Sequence, residues 1–157
     1  MRRLGTLRQV ETVKSAVGAG AGGRAEFSFR SPDRMAYETG AVESIIIGAR
    51  SWIRADPALG WQALDRADEE FRVRDGFRWT VFESTARLLA VRREGHRRVA
   101  DIALLDWGYP LWYTVTVDLE AHRVLRQTLL TPDNRIEDRF FGFDRPVEIG
   151  PPTSRDG

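Results

Sequence analysis

The chain has 157 residues, of which 42% are hydrophobic and 30% are charged, and its 24 basic and 23 acidic side chains leave a net charge of +1. This length and composition predict one folded domain, and the interspersed charges argue against a nucleic-acid partner, which requires a field of one sign. Because there is no cysteine, disulfides, thiolate nucleophiles, cysteine-ligated zinc and lipid-modified cysteines are excluded. The sequence also shows neither the run of roughly 18 apolar residues that a membrane helix needs nor a signal peptide.

The beginning of the chain predicts two strands around a glycine-rich loop. Residues 10–17 alternate in a strand-like way, and the cluster GAGAGG at 18–23 follows them. This cluster predicts a flexible hairpin loop, because it lacks the helix and the lysine of a phosphate-binding loop. In residues 25–30, Phe27 and Phe29 alternate with polar side chains, which is the period-two pattern of a half-buried strand.

Two more strands and an irregular segment are predicted next. Residues 34–40 continue the alternation, and residues 42–56 predict two strands joined by a tight turn at Gly48 and Ala49. Proline and glycine then interrupt the pattern, and a short helix is predicted around 61–71. This irregular segment is expected to cover an open edge or mouth of the sheet.

The second half of the chain predicts a series of hairpins. Residues 85–107 contain two apolar runs separated by Glu94 and Gly95, which indicate a hairpin turn. Residues 111–118 and 122–130 form two further predicted strands with a short connection. A proline-led turn at residues 131–134 leads from them into the last strand.

Counted together, the runs predict roughly eight to ten strands, and short turns join antiparallel neighbours. The predicted fold class is α+β: a single large antiparallel sheet with one or two short helices on one side. A sheet of this size is expected to curl. The predicted domain covers residues 1–150, and residues 151–157 are predicted to be a disordered tail.

The two histidines do not indicate a catalytic or metal site. His96 and His122 each lie beside a predicted turn among arginines, where a solvated side chain is expected rather than a catalytic base. With Met1 and Met35 they could supply copper ligands, but no spacing supports such a site. No metal or other cofactor is predicted.

The acidic residues do not predict catalysis either. Clusters at 68–70 and 137–138 raise the question of glycoside hydrolysis or a hard-metal site. Neighbouring residues on a strand point to opposite faces, so Glu137 and Asp138 cannot easily reach one bond. Asp118 is interpreted as a turn residue that bonds its own backbone rather than as a general base. The sequence therefore predicts a protein that is not an enzyme.

Four segments carry a resemblance to a known family. Residues 34–38 (RMAYE) match an RMRYE-like segment, and residues 48–52 (GARSW) match a G-x-x-x-W hairpin. Residues 112–118 (WYTVTVD) match a W-[YF]-T-[VL]-x-[VI]-D strand, and residues 140–152 match a closing Y-S-D-F-N-x-P-V-x-I-x-x-P segment. Over nearly its whole length the chain resembles the lipoprotein-carrier superfamily of LolA-like and LppX-like half-barrels.

This resemblance implies a curved half-barrel whose concave side is covered by the short helices. It also implies a bacterial extracytoplasmic location, in the periplasm or at the cell surface, and an acyl chain or other apolar molecule that is held or transferred. A membrane or a membrane-anchored partner domain is the implied partner.

The alternative is a structural, interaction or sensor domain of a larger membrane-anchored protein with no ligand of its own. Some proteins of this pattern are joined to copper-resistance-type modules. Such a domain would dock through surface arginines such as Arg92 and Arg93.

The candidate ligand-binding residues are apolar side chains at alternate strand positions. In the strand within 122–130, Leu125 and Leu129 alternate with Arg126 and Thr128, which suit solvent. Burial of an acyl chain contributes about 0.8 kcal/mol for each methylene, so such a lining is physically plausible. The full set is Ile45, Ile47, Trp52, Ile102, Leu104, Tyr113, Val115, Leu125 and Leu129.

Overall fold

The computed structural model describes residues 5–15, 22–40, 42–65, 70–106, 108 and 110–153. These residues form eleven β-strands and two 3-10 segments, Val73–Gly76 and Arg78–Thr85. The strands are β1 Thr6–Ser15, β2 Gly22–Arg30, β3 Arg34–Thr39, β4 Val42–Ile47, β5 Arg50–Arg54, β6 Gln62–Asp65, β7 Arg87–Glu94, β8 Arg97–Asp106, β9 Leu111–Asp118, β10 Arg123–Leu130 and β11 Asn134–Phe141.

The strands belong to one sheet in the order β6-β5-β4-β3-β2-β1-β11-β10-β9-β8-β7. The sheet is not closed, because β6 and β7 each have only one neighbour in this order. The prediction of a single large antiparallel sheet is confirmed, with slightly more strands than expected. Strands that are joined by a short turn also lie next to each other in the sheet, as antiparallel hairpin geometry requires.

The predicted helices are nearly absent from the described residues, and this is a correction. Only the two 3-10 segments are helical. The helix predicted around 61–71 is wrong at Gln62–Asp65, which form β6 and pair with β5 from Arg50↔Asp65 to Ile53↔Gln62. Backbone pairing along a free strand edge here overrides a weak local preference for helix. Residues 66–69 lie outside the described residues.

Backbone proximity divides the chain into two compact units. The first contains 1–10, 24–77 and 141–157, and the second contains 11–23 and 78–140. The single domain predicted over 1–150 and the disordered tail predicted at 151–157 stay predictions.

One face of the first unit is aromatic. The register Phe27↔Tyr37 and Phe29↔Met35 places these four side chains on the same side of β2 and β3, with Ile46 opposite Met35. The rings of Phe27 and Phe29 lie 6.0 Å apart, and those of Phe27 and Tyr37 lie 5.6 Å apart. Alternation of strand side chains therefore gives this unit a packed face.

The segment after β6 covers part of this aromatic face. The Val73 N–H donates to the Pro32 carbonyl at 2.9 Å, and the Val73 side chain is buried. The ring of Phe77 lies 5.7 Å from that of Phe29, which is itself only 4% exposed. The first unit thus covers Phe29, at the centre of its aromatic face, with its own side chains.

In the second unit, β7 to β10 form consecutive hairpins with well-defined turns. Gly95 has a φ of 62° in the two-residue turn between Glu94 and Arg97, which are paired. Asp118 closes the β9–β10 turn, because its Oδ1 accepts hydrogen bonds from the backbone N–H groups of Glu120 at 3.0 Å and Ala121 at 2.9 Å. The interpretation of Asp118 as a turn residue is confirmed.

Candidate functional site

The second unit has an apolar face built by β8 and β9. The register places Ile102 opposite Val115 and Leu104 opposite Tyr113, so these four predicted residues share one side of the sheet. Leu104, Tyr113 and Val115 are only 5%, 2% and 3% exposed. We call this surface the apolar face. The side chains packed against its buried cluster are Phe82, Ile102, Leu111, Val117, Val124 and Leu129.

A β-bulge decides which residues of β10 reach the apolar face. Leu129 pairs with Tyr113 and lies on it, as predicted. The register shifts between Val124 and Arg126, and a bulge inserts one extra residue that breaks the alternation. Leu125 falls in this bulge, and Val124 packs against the cluster instead. The placement of Leu125 beside Leu129 on one face is therefore corrected.

Phe82 covers the cluster from outside the sheet. Its ring stacks on Tyr113 with the centroids 5.6 Å apart. Thr85 anchors this 3-10 segment, because its Oγ1 accepts from the Leu105 N–H at 2.9 Å and donates to the Phe82 carbonyl at 2.8 Å. Phe82 is not predicted from the sequence, because it lies in an irregular segment that no hydrophobic period marks.

The apolar face continues onto β7, where nothing in the described residues covers it. Val91 lies opposite Ala100 and Leu88 lies opposite Ile102. Leu88 is 64% exposed and Val91 is 46% exposed. Large apolar side chains arranged in a row at a sheet edge mark a binding surface more often than isolated exposed ones do.

A polar group interrupts the apolar face at β10 and β11. Gln127 lies opposite both Val115 and Asp138, and its Nε2 donates to the Asp138 Oδ2 at 2.6 Å. Asp138 is 2% exposed, and the buried Oε1 of Gln127 has no hydrogen-bond partner among the described residues. Burial, and then the nearby charge of Asp138, raise the pKa of Glu11.

The opposite face of β7 to β10 is charged and internally paired. Asp101 accepts hydrogen bonds from Arg92 Nε at 2.8 Å and Thr116 Oγ1 at 2.7 Å. Glu94 accepts from Arg126 Nη2 at 2.7 Å and Arg92 Nη1 at 2.9 Å. The hydrogen bond from Arg92 lowers the pKa of Asp101, and those from Arg126 and Arg92 lower the pKa of Glu94. These paired and partly exposed charged side chains make this the solvent-facing side of the sheet.

Three predicted residues lie in the first unit, on the side away from its aromatic face. Ile45 pairs with Trp52, and Ile47 pairs with Arg34. The Arg34 Nη1 donates to the Ile149 carbonyl at 2.7 Å, which brings the C-terminal segment to this side. Ile45, Ile47 and Trp52 are all half-buried. The structure therefore places eight of the nine predicted residues in two sets, three in the first unit and five on the apolar face of the second, and Leu125 belongs to neither.

No metal centre is formed by the residues that the structure describes. They include no group of three or more His, Cys, Asp or Glu side chains that could hold an ion. His96 and His122 lie in the turns after β7 and β9, and His122 has a φ of 53°. Within the same residues, no helix is long and apolar enough to cross a membrane.

Comparison with solved structures identifies the fold. The chain is similar to the lipoprotein LppX of Mycobacterium tuberculosis, with a TM-score of 0.61 and 11% sequence identity over 94% of this chain and 90% of that one. It is also similar to LprF of Mycobacterium bovis, with a TM-score of 0.56 and 8% identity over 96% of this chain and 90% of that one. The predicted LppX-like fold is confirmed.

A third similar structure is an uncharacterized conserved protein of Thermus thermophilus, with a TM-score of 0.50 and 10% identity over 87% of this chain and 78% of that one. No family model matches the chain, and no curated protein matches it. At these identities the likeness concerns the fold alone.

Proposed function

We propose that this chain is an extracytoplasmic, non-enzymatic domain that holds or transfers an apolar ligand on the inside of a half-barrel. The observation that carries the proposal is the open end of the apolar face, where Leu88 and Val91 stay exposed beside the buried cluster of Leu104, Tyr113 and Val115. An eleven-stranded open sheet exceeds the size at which sheets curl. The similarity in fold to LppX, a lipoprotein of Mycobacterium tuberculosis, supports the extracytoplasmic part of the proposal.

The free energy for binding comes from removing apolar surface from water. An acyl chain lying against β7 and β8 would bury its own methylenes, each contributing about 0.8 kcal/mol. It would also cover Leu88 and Val91, which the described residues leave open. About five fully buried methylenes therefore offset the lower end, about 4 kcal/mol, of the cost of lost ligand freedom on binding.

The experiment measures the ligand directly. We expect mass spectrometry of an organic extract of gently purified protein to find acyl species, and the protein to bind a neutral diacylglycerol. Leu88→Glu places a charge on the exposed end of the apolar face and should abolish both the acyl species in the extract and the binding of diacylglycerol. The variant should still fold, because the Leu88 side chain is 64% exposed.

Leu130→Glu is the matched control. Leu130 is 43% exposed and lies opposite Trp112, on the charged side of the sheet, so ligand content should not change. An empty extract together with no binding of diacylglycerol would contradict the proposal.

A second candidate is an interaction or sensor domain that has no ligand. The stacking of Phe82 on Tyr113 favours it, because this ring occupies part of the apolar face. Its test is the reverse outcome: no acyl species in the extract, and partner binding that depends on Arg92 and Arg93 but not on Leu88.

A further inference from the structure

Two arginines stand side by side at one end of the apolar face. Arg93 of β7 and Arg98 of β8 form a cross-strand pair, so their side chains leave the same side of the sheet. On this side of the sheet they are the next pair after Val91 and Ala100, and both are exposed. In the part of the chain that the structure describes, neither guanidinium has a carboxylate within ion-pair distance.

The neighbouring arginines are paired differently. Arg92 contacts Asp101 and Glu94, and Arg126 contacts Glu94, all on the charged side of the sheet. Two like charges directly opposite each other destabilise a sheet. Arg93 and Arg98 therefore impose an electrostatic cost that an anionic ligand would remove.

The apolar strip beside these arginines has the length of an acyl chain in a membrane. Arg93, Val91 and Leu88 follow one another on this side of the exposed edge strand β7, and their five residue steps, which include a bulge, span about 15 Å. Each leaflet of a bilayer fills about half of a hydrocarbon core roughly 30 Å thick.

We propose that the ligand is an anionic amphiphile whose phosphate-type head group binds Arg93 and Arg98 and whose acyl chain lies along Val91 and Leu88. This inference rests on the proposed function and specifies the class of ligand. Guanidinium groups bind phosphate oxygens through two parallel hydrogen bonds each, which a single ammonium group does not provide. The exposed leucine and valine supply the surface for the chain.

The test compares lipids that share their acyl chains and differ in head group. The full chain is titrated with detergent-dispersed phosphatidylglycerol and with diacylglycerol of the same chains, and tryptophan fluorescence reports binding. We expect phosphatidylglycerol to bind more tightly. The double variant Arg93→Gln/Arg98→Gln should weaken its binding by at least about tenfold, since hydrogen bonds to charged groups are lost. Diacylglycerol binding should stay within about twofold, because it has no charge to lose.

The control removes the same charge from the other side of the sheet. Arg87 pairs with Ala103, and Arg139 pairs with Arg126, so the Arg87→Gln/Arg139→Gln variant changes the net charge equally on the charged side. It should leave both lipid affinities unchanged. An equal loss in the two double variants would show a general electrostatic field and would overturn the inference.

Further outcomes separate this inference from the proposed function. Equal binding of phosphatidylglycerol and diacylglycerol by the unaltered chain would overturn the anionic head group and leave the apolar-ligand function standing. Arginine-dependent binding of inorganic phosphate, without binding of phosphatidylglycerol, would identify a free-phosphate site and overturn the lipid. Binding of neither lipid, together with an empty extract, would overturn both proposals.

Discussion

The two units treat their apolar faces differently, although each consists mainly of antiparallel hairpins. In the first unit, Phe29 is buried among Phe27 and Phe77, and the segment 71–77 closes over it. In the second unit, Phe82 covers Tyr113, yet Leu88 and Val91 stay open to solvent. A filled face contributes stability, whereas an open one leaves apolar surface for a ligand.

The largest expected effect is on the filled face. Phe29→Ala removes a ring that is 4% exposed and contacts two others. It should lower the free energy of unfolding by about 3–5 kcal/mol, through lost burial and a residual cavity. Urea denaturation followed by tryptophan fluorescence measures it. A loss below about 1 kcal/mol would show that the first unit is not held together by this face.

A smaller loss of stability is expected for the partly covered face. Phe82→Ala removes a half-buried ring from Tyr113, and about 2 kcal/mol should be lost because only part of the full burial contribution is at stake. Under the proposed function the variant should also bind diacylglycerol more tightly, since a larger part of the apolar face is open. Tighter binding with reduced stability would distinguish this ring from Phe29.

The difference between the faces was only partly predictable from sequence. The turns that the sequence predicted correctly are those in which glycine, proline or a short polar side chain fixes the backbone. Gly48 has a φ of 58°, and the Thr131 Oγ1 accepts from the Asn134 N–H at 2.9 Å. Hydrophobic alternation also correctly placed Leu104 and Tyr113 on one face, because neither lies near an irregularity.

Errors occurred where the alternation was interrupted or absent. The bulge after Val124 has no signature in the sequence, and it leaves Leu125 without a cross-strand partner and outside the packed cluster. The uninterrupted run Ile45–Ile47 has no period, so the sequence could not show that Ile46 would join the aromatic face while Ile45 and Ile47 would not. The Arg93–Arg98 pair was equally hidden, since it depends on the register of two strands.

Glu11 of the second unit is expected to make the free energy of unfolding depend on pH. Burial and the charge of Asp138 raise the pKa of Glu11, so the folded chain binds this proton more tightly than the unfolded chain does. The associated stability is present at low pH and is lost as the pH rises from the ordinary glutamate value through the raised one. Glu11→Gln should therefore reduce this decline, as measured by urea midpoints between about pH 4 and 7.

Glu137 is the control, because the hydrogen bond from Lys14 lowers its pKa. Its stabilising contribution is present above the ordinary glutamate value and is lost as the pH falls through the lowered one. Glu137→Gln should thus alter stability in the opposite direction from Glu11→Gln near neutral pH. Parallel changes in the two variants would contradict the assignment of a half-buried Glu11 whose pKa is raised.

The smallest change in stability is expected at the open edge itself. Leu88→Ala should change the free energy of unfolding by less than about 0.5 kcal/mol, as at other exposed positions, because the side chain is 64% exposed. Leu104→Ala, 5% exposed on the same face, should instead cost about 2–5 kcal/mol. If Leu88→Ala also cost more than about 2 kcal/mol, its side chain would have to be covered in solution. The second unit would then be filled like the first, and no surface would remain for an acyl chain.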